Sequence, residues 1–405
     1  PFPVAAPVVG YQTWRYGAGR GMEAAYGVGG AEAAYDAALR GDLGQSLADR
    51  FATVVLHRPQ SGRDVVLTLD ADLQVFAAEQ LGSREGAVVV LDVSTGAIRA
   101  LVSLPTFDPR ELDDLEAGEN PPPAMLNRAT QALYPPGSTW KMVTLSAALG
   151  DRVAHLDDVF ADGDRTGFFD GFAVSCDNNP EGVVSFDLAH AFAYSCNVTF
   201  ADLAVRVGAR RFSDYARAFG LTEAPPFPLP TTAGSLTGDD LVPTAELASA
   251  GFGQGEIVVT PLHMALIAAS FARDGSLPVP TLLADVPGVR WSSIADERGT
   301  WKRAVPARTA ALVRQAMIVS AEDGWALAAR SAAGMSVGAK TGTAETGRGT
   351  THAWTVAFAP ADDPRLAAAV IVVEGGSGAT VAAPIAGRVL ARGLQLDAAV
   401  PGGAP

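Results

Sequence analysis

The spacing of apolar positions changes along the chain, and each change predicts a different element. Residues 1 to 65 are rich in Gly and Ala, with one helix-like run, "GAEAAYDAALRGDLG" (30–44), and no long strand pattern. After "DVVLTLD" (64–70), the segment "ADLQVFAAEQLG" (71–82) has helical periodicity and ends on Gly82. "GAVVVLDVSTGAIRALVSL" (86–104) is two β-rich runs around a "VSTG" turn. Its near-continuous apolar character suits central strands of a sheet.

A Pro-rich irregular stretch (105–136) then ends in "YPPG", and the pattern turns helical. Helices are expected in "STWKMVTLSAALG" (138–150), "FDLAHAFAYSCNVTFADLAVRVG" (186–208), "RRFSDYARAFG" (210–220) and "TPLHMALIAASFARDG" (260–275), each closed by Gly. "EAPPFPLPTTAGSLTGDD" (223–240) reads as loop. After a further helix near 306–330, three strand-like runs follow: "SVGAKTGTAE" (336–345), "THAWTVAFA" (351–359) and "RLAAAVIVVEG" (365–375). Short turns join them as a meander, and "PIAGRVLARGLQ" (384–395) is a closing helix. Two strands, a helical middle, then three strands and a helix define an α+β fold, because a doubly wound parallel sheet would need strand and helix to alternate throughout. We expect a central antiparallel five-stranded sheet built from both ends of the chain and flanked by helices, beside an all-helical subdomain. Residues 1–65 form a small accessory region and 66–398 the main body.

At 405 residues and 48% hydrophobic, the chain can bury a substantial core. Its net charge of −14 argues against a nucleic-acid surface and against a basic tract for anionic lipid. The longest apolar runs, such as "AAAVIVV" (367–373), are far shorter than the ~20 residues of a membrane span. Cys176 and Cys196 are too few for a disulfide framework and read as two free thiols, with a single bridge in an oxidising compartment as the alternative. His57, His155, His190, His263 and His352 show no metal-ligand spacing and read as surface or capping residues, with His352 near the rim of the site discussed next. No metal or cofactor is implied.

Only three of the 30 basic residues are lysines, namely Lys141, Lys302 and Lys340. Lys141 stands three positions after Ser138 in "PPGSTWKMVT", so on a helix the hydroxyl and the amine share a face. A serine hydroxyl becomes a nucleophile when a neighbouring base takes its proton, and Ser-Lys is one such pair. Arg cannot serve, because its guanidinium does not deprotonate in proteins. Lys can, but its pKa of about 10.4 must fall by roughly 3, about 4 kcal/mol, through burial and a nearby positive charge. A second cation in the pocket is therefore expected.

Two more motifs follow in order: Ser195-x-Asn197 within a helical stretch, and Lys340-Thr341-Gly342 on a probable strand. In this order the three resemble the signatures of penicillin-binding proteins and active-site serine β-lactamases. Longer stretches, including "YPPGSTWKMVTLSAAL" and "GAKTGTAETGRGTTHAWTVAFAP", are similar to the transpeptidase domain of monofunctional, class B penicillin-binding proteins over about residues 66–395. The first 65 residues look like the shortened end of that class's N-terminal pedestal.

The resemblance implies that Ser138 attacks the penultimate D-Ala carbonyl of a peptidoglycan stem peptide, releasing the terminal D-Ala and leaving an acyl-enzyme. Lys141 would take the Ser138 proton and Ser195 relay protons to the leaving amine. Asn197 would hold Lys141 and the substrate amide, and Lys340 would be the second cation. Thr341 and Thr343 would bind the terminal carboxylate, with the backbone N–H groups of Ser138 and Thr343 as oxyanion hole. Gly342 would leave room for a substrate lying antiparallel along the strand. An amine from a second stem peptide would then form the cross-link.

Implied partners are donor and acceptor stem peptides, β-lactam antibiotics and other cell-wall synthesis proteins, with no nucleic acid. The expected location is extracytoplasmic, at the cell membrane through a preceding N-terminal segment. Cys196 reads as a buried structural thiol and Trp140 as core. Thr355 stands where Phe is common in the class, which is expected to alter packing only. A serine β-lactamase or β-lactam sensor on the same fold is the alternative, although no deacylating Glu is identifiable. "GMSVGAKT" (334–341) is not a phosphate loop, since Ala339 replaces its Gly and the run lies on a strand.

Overall fold

A computed structural model of the chain describes residues 3–16, 23–43, 51, 53–58, 60–111, 123–176, 179–236, 243–287 and 299–399. Parts of the expected irregular segments, 112–122 and 237–242, lie outside these residues, as does the end of the 30–44 run. The accessory region contains an antiparallel hairpin, β1 (Gln12–Tyr16) with β2 (Glu23–Gly27), and short helices at Gly30–Ala34 and Asp36–Leu39. The hairpin is a departure from expectation: Gly and Ala there mask the alternation that would mark a strand. Residues before the hairpin dock on the main body. Val8 is fully buried, and Gln74 Nε2 donates to the carbonyls of Val4 and Leu101.

The main body begins with α1 (Ala71–Leu81), capped by Asp70 and ended by Gly82 as its sequence requires. The sheet takes β3 (Gly86–Asp92) and β4 (Ile98–Leu104) from the first half of the chain. From the second half come β7 (Gly338–Glu345), β8 (Thr351–Ala359) and β9 (Leu366–Val372). The order is β7-β8-β9-β3-β4, all antiparallel, so β7 is an edge.

Alternation along each strand divides the core in two. Val88, Val90, Ala357, Ala368 and Val370 face α1, α9 (Leu327–Ala333) and α10 (Ala383–Ala399). Val89, Leu91, Trp354, Val356 and Ala369 face the helical half. Lys340 pairs with Val356 across the β7–β8 ladder, which puts it on that second, inner face.

The helical half comprises α2 (Lys141–Gly150), α3 (Leu188–Ala193), α4 (Asn197–Val207), α5 (Ala209–Ala218), α6 (Thr244–Gly251), α7 (Pro261–Ala272) and α8 (Ala307–Glu322). Between α2 and α3 a small hairpin, β5 (Thr166–Phe169) with β6 (Phe172–Ser175), packs near α4. Every residue of α7 is buried, His263 included, so that histidine is a core residue and not a surface one. Its Nε2 lies 3.0 Å from the Phe219 carbonyl, and burial lowers its pKa to about 4. The site occupies the junction of the inner sheet face, α2 and the α3–α4 corner.

Candidate active site

Ser138 sits in one turn of 3-10 helix, Gly137–Trp140, which runs directly into α2 at Lys141. Lys141, the residue that follows the turn, donates its backbone N–H to Ser138 O across the junction. The turn is held against β7 by close approach. Gly137 has φ +53°, donates its N–H to Gly253 O at 2.9 Å, and a Cβ on it would lie 3.0 Å from Thr343 O and Ala344 Cβ. A Cβ on Gly342 would lie 3.0 Å from Pro136 O and from Thr139 Cγ2. Gly342 therefore lets the serine turn approach the strand. Thr139 Oγ1 donates to Pro136 O at 2.7 Å and closes the turn.

The Ser195-x-Asn197 motif does not lie within a continuous helix. The chain breaks between α3 and α4, with Ser195 at φ +63°, a left-handed value that costs a non-glycine residue on the order of 1 kcal/mol or more. This corner turns both Ser195 oxygens toward one amine. Lys141 Nζ lies 2.6 Å from Ser195 O, 3.0 Å from Ser195 Oγ and 2.7 Å from Asn197 Oδ1. Lys340 Nζ arrives from the sheet and lies 3.0 Å from the same Ser195 Oγ and 2.9 Å from Thr341 O. Ser195 Oγ thus bridges the two lysines.

The corner is also stapled. Cys196 is joined by a disulfide to Cys176, at the end of β6, with Cα atoms 4.6 Å apart. The reading of two free thiols is wrong. The hairpin folds back on α4 and brings residues 20 apart in sequence side by side. Thr199 Oγ1, in turn, bonds Asp162 Oδ2 at 2.9 Å behind the bridge.

Lys141 and Lys340 are both fully buried, and neither has a carboxylate partner among the described residues. Each instead faces an aromatic ring from the α3–α4 corner: Lys141 Nζ is 5.5 Å from the Phe200 centroid and Lys340 Nζ 5.4 Å from that of Phe192. Burial lowers the Lys340 pKa to about 7. Lys141 is pushed well below the ordinary lysine value, first by burial and then by the positive charge of Lys340. The second cation expected from sequence is in place. Phe192 and Phe200 carry no motif, and only the helical phase of α3 and α4 could have hinted at their facing the site.

Ser138 is half-buried, and its hydroxyl makes no hydrogen bond to Lys141 among the described residues. Thr341 is buried on β7, whereas Thr343 is exposed at the edge with its Oγ1 accepting from Gly378 N at 3.3 Å. Trp140 is fully buried core, as expected. Thr355 is buried and donates to the carbonyl of Trp354 at 2.7 Å. His352 is 9% exposed, packed edge-on against Tyr134 at 5.3 Å, so it is not a surface residue.

A serine, two buried lysines and a bridging hydroxyl beside a sheet edge define an acyl-transfer pocket of the serine-lysine class. The chain belongs to the penicillin-binding protein transpeptidase family, since that domain's model matches residues 86–391. It is 34% identical to the peptidoglycan D,D-transpeptidase PbpA of Mycolicibacterium smegmatis over 98% of this chain and 84% of that protein. For the protein of that name in Mycobacterium tuberculosis the identity is 33%, over 97% and 83%. The crystal structure of M. tuberculosis PBPA superposes with a TM-score of 0.82 at 31% identity, covering 97% of this chain and 92% of that one. Its penicillin G acyl-enzyme complex gives a TM-score of 0.80 at 31% identity, over 97% and 92%.

Proposed function

We propose that this chain cross-links peptidoglycan as a D,D-transpeptidase, with Ser138 as nucleophile and Lys141 as its base. The observation that carries the reading is Ser195 Oγ shared between two buried lysine nitrogens, 3.0 Å from each. A neutral Lys141 has two N–H bonds and one lone pair. Its N–H bonds match Ser195 O and Asn197 Oδ1, and its lone pair accepts a hydroxyl proton, that of Ser195 Oγ at 3.0 Å before reaction and that of Ser138 during it. A charged Lys340 donates to Ser195 Oγ and keeps Lys141 neutral.

Ser138 Oγ attacks the carbonyl carbon of the penultimate D-Ala as its proton passes to Lys141. The oxyanion is met by the Ser138 and Thr343 N–H groups, the former beside the start of a helix. Collapse breaks the C–N bond, and the proton returns from Lys141 through Ser195 to the departing D-Ala amine. The acceptor amine then attacks the ester, loses a proton by the reverse path and restores Ser138. Asn197 holds the donor amide, and Thr341 and Thr343 bind the terminal carboxylate. A β-lactam would be opened by the same attack and remain as a stable ester.

Residues 66–398 would be the catalytic unit and 1–65 the accessory part. The substrate places the protein outside the cytoplasm, where a disulfide persists. A membrane tether N-terminal to Pro1 and contacts with other cell-wall synthesis proteins belong to the same reading. Mass spectrometry after penicillin G treatment tests the site: one stable adduct on Ser138, absent in Ser138→Ala and Lys141→Ala, is expected. Adduct on another serine, or rapid multiple turnover of a chromogenic β-lactam, would overturn it.

A further inference from the structure

α8 and α9 are joined by residues 323–326, and Trp325 in this short connection is 41% exposed. A large aromatic side chain left that far in water adds little to the core, yet both N–H groups of Trp325 are turned onto the end of α3. The backbone N–H donates to Ala193 O at 3.3 Å, and the indole Nε1–H donates to Tyr194 O at 3.1 Å. Gly324 permits the approach, since a Cβ on it would lie 2.6 Å from Ala193 O.

The last carbonyls of a helix need donors from outside its own ladder. At the end of α3 they are met one by one: His190 O accepts from Tyr194 N, Ala191 O from Cys196 N and Phe192 O from Ser195 N. The next two, Ala193 O and Tyr194 O, go to Trp325. Ser195 O then goes to Lys141 Nζ at 2.6 Å.

Tyr194 O and Ser195 N belong to one peptide group, which is planar and turns as a unit. Phe192 O holds that group by its N–H at 3.1 Å, and Trp325 Nε1 holds it by its oxygen. The group is the near side of the Ser195 φ torsion, kept at the unfavourable value of +63°. Released at its oxygen, it can turn and let this φ relax, and Ser195 shifts with it. Ser195 O and Oγ are the atoms that contact Lys141, so the shift is felt at the base.

We infer that Trp325 is a positioning residue for acylation: its indole N–H locks the peptide before Ser195, so that both Ser195 oxygens face Lys141. It acts through Ser195, from a loop that carries none of the three motifs. The inference rests on the serine-lysine reading of the site.

Two variants separate the N–H from the ring. Trp325→His keeps an N–H in a five-membered ring at the place of indole Nε1, whereas Trp325→Phe keeps an apolar ring and loses the donor. In stopped-flow acylation by penicillin G, Trp325→Phe should react about tenfold more slowly than wild type, the scale of one hydrogen bond, and Trp325→His within about twofold of it. The pH profile tells positioning from general loosening. With Tyr194 O left to water the corner hydrates, and Lys141 loses part of the burial that keeps it neutral. The rising limb of acylation by Trp325→Phe should therefore lie at higher pH than that of wild type, whereas a loosened fold would lower the rate and leave the limb in place. A wild-type rate in Trp325→Phe, an equal loss in Trp325→His, or a slower Trp325→Phe with an unmoved limb would overturn the inference. Failure of penicillin to label Ser138 in the wild type would instead overturn the site reading beneath it.

Discussion

The lysines of this chain are treated in two opposite ways. Lys302, on the surface of the helical half, has Glu223 Oε1 2.7 Å from its Nζ and the Trp301 ring 5.7 Å away. Lys141 and Lys340, inside the pocket, keep the aromatic neighbour but lack a carboxylate among the described residues. A carboxylate stabilises the charged form of a lysine, and burial without one favours the neutral form. In the pocket, burial lowers the pKa of both lysines, and the charge of Lys340 lowers that of Lys141 further.

Supplying the missing acid should break this contrast most severely. Phe200→Glu places a carboxylate near Lys141, holds it protonated, and should cut penicillin acylation by on the order of 100-fold or more, the usual scale of a lost general base. Stopped-flow acylation on a variant shown to be folded by circular dichroism measures it, and an undiminished rate would remove the argument for a neutral Lys141.

Opening the staple should loosen the corner that brings the lysines together. Cys176→Ser with Cys196→Ser should lower unfolding free energy by about 3 kcal/mol, as expected for a loop of this length. Denaturant titration of the pair against the wild type gives the number, and no change would show that the corner is held by packing alone.

A third prediction concerns pH. Lys340 titrates at about 7 when folded and near its ordinary 10.5 when unfolded, so between those values the unfolded chain binds more protons. The penalty of its buried charge is therefore full below about pH 7 and disappears as pH approaches 10.5. Lys340→Met should be more stable than wild type at pH 6 by about 2 kcal/mol, with the gap closing toward pH 10, as urea titrations at about those two pH values would show. Acylation, which needs Lys340 charged and Lys141 neutral, should fall as pH rises through about 7. The smallest effect is at the surface: Lys302→Met should cost at most about 1 kcal/mol and leave acylation as it is.

The sheet could be read from sequence because β3, β8 and β9 are nearly unbroken apolar runs with turn residues between them. The three motifs were legible because lysine is so rare here. The corner at Ser195 was not, since nothing in "AFAYSCNVTF" marks a left-handed backbone where Gly or Asn would usually stand. Pairing of Cys176 with Cys196 depends on the β5–β6 hairpin folding over α4, a tertiary event without a local signal. Phe192 and Phe200 likewise come to face the lysines only through the direction in which the folded elements point them. At Gly342 the close approach is that of the serine turn, a tertiary contact the sequence does not display.

The central claim is that Lys141 works by losing its proton, and Lys141→Arg tests it most directly. Arg retains charge and length but cannot become neutral near pH 7. Intact-mass spectrometry after penicillin G should show wild type fully acylated at Ser138 and the Arg variant, folded, without adduct. Near-normal labelling of Lys141→Arg would contradict the account.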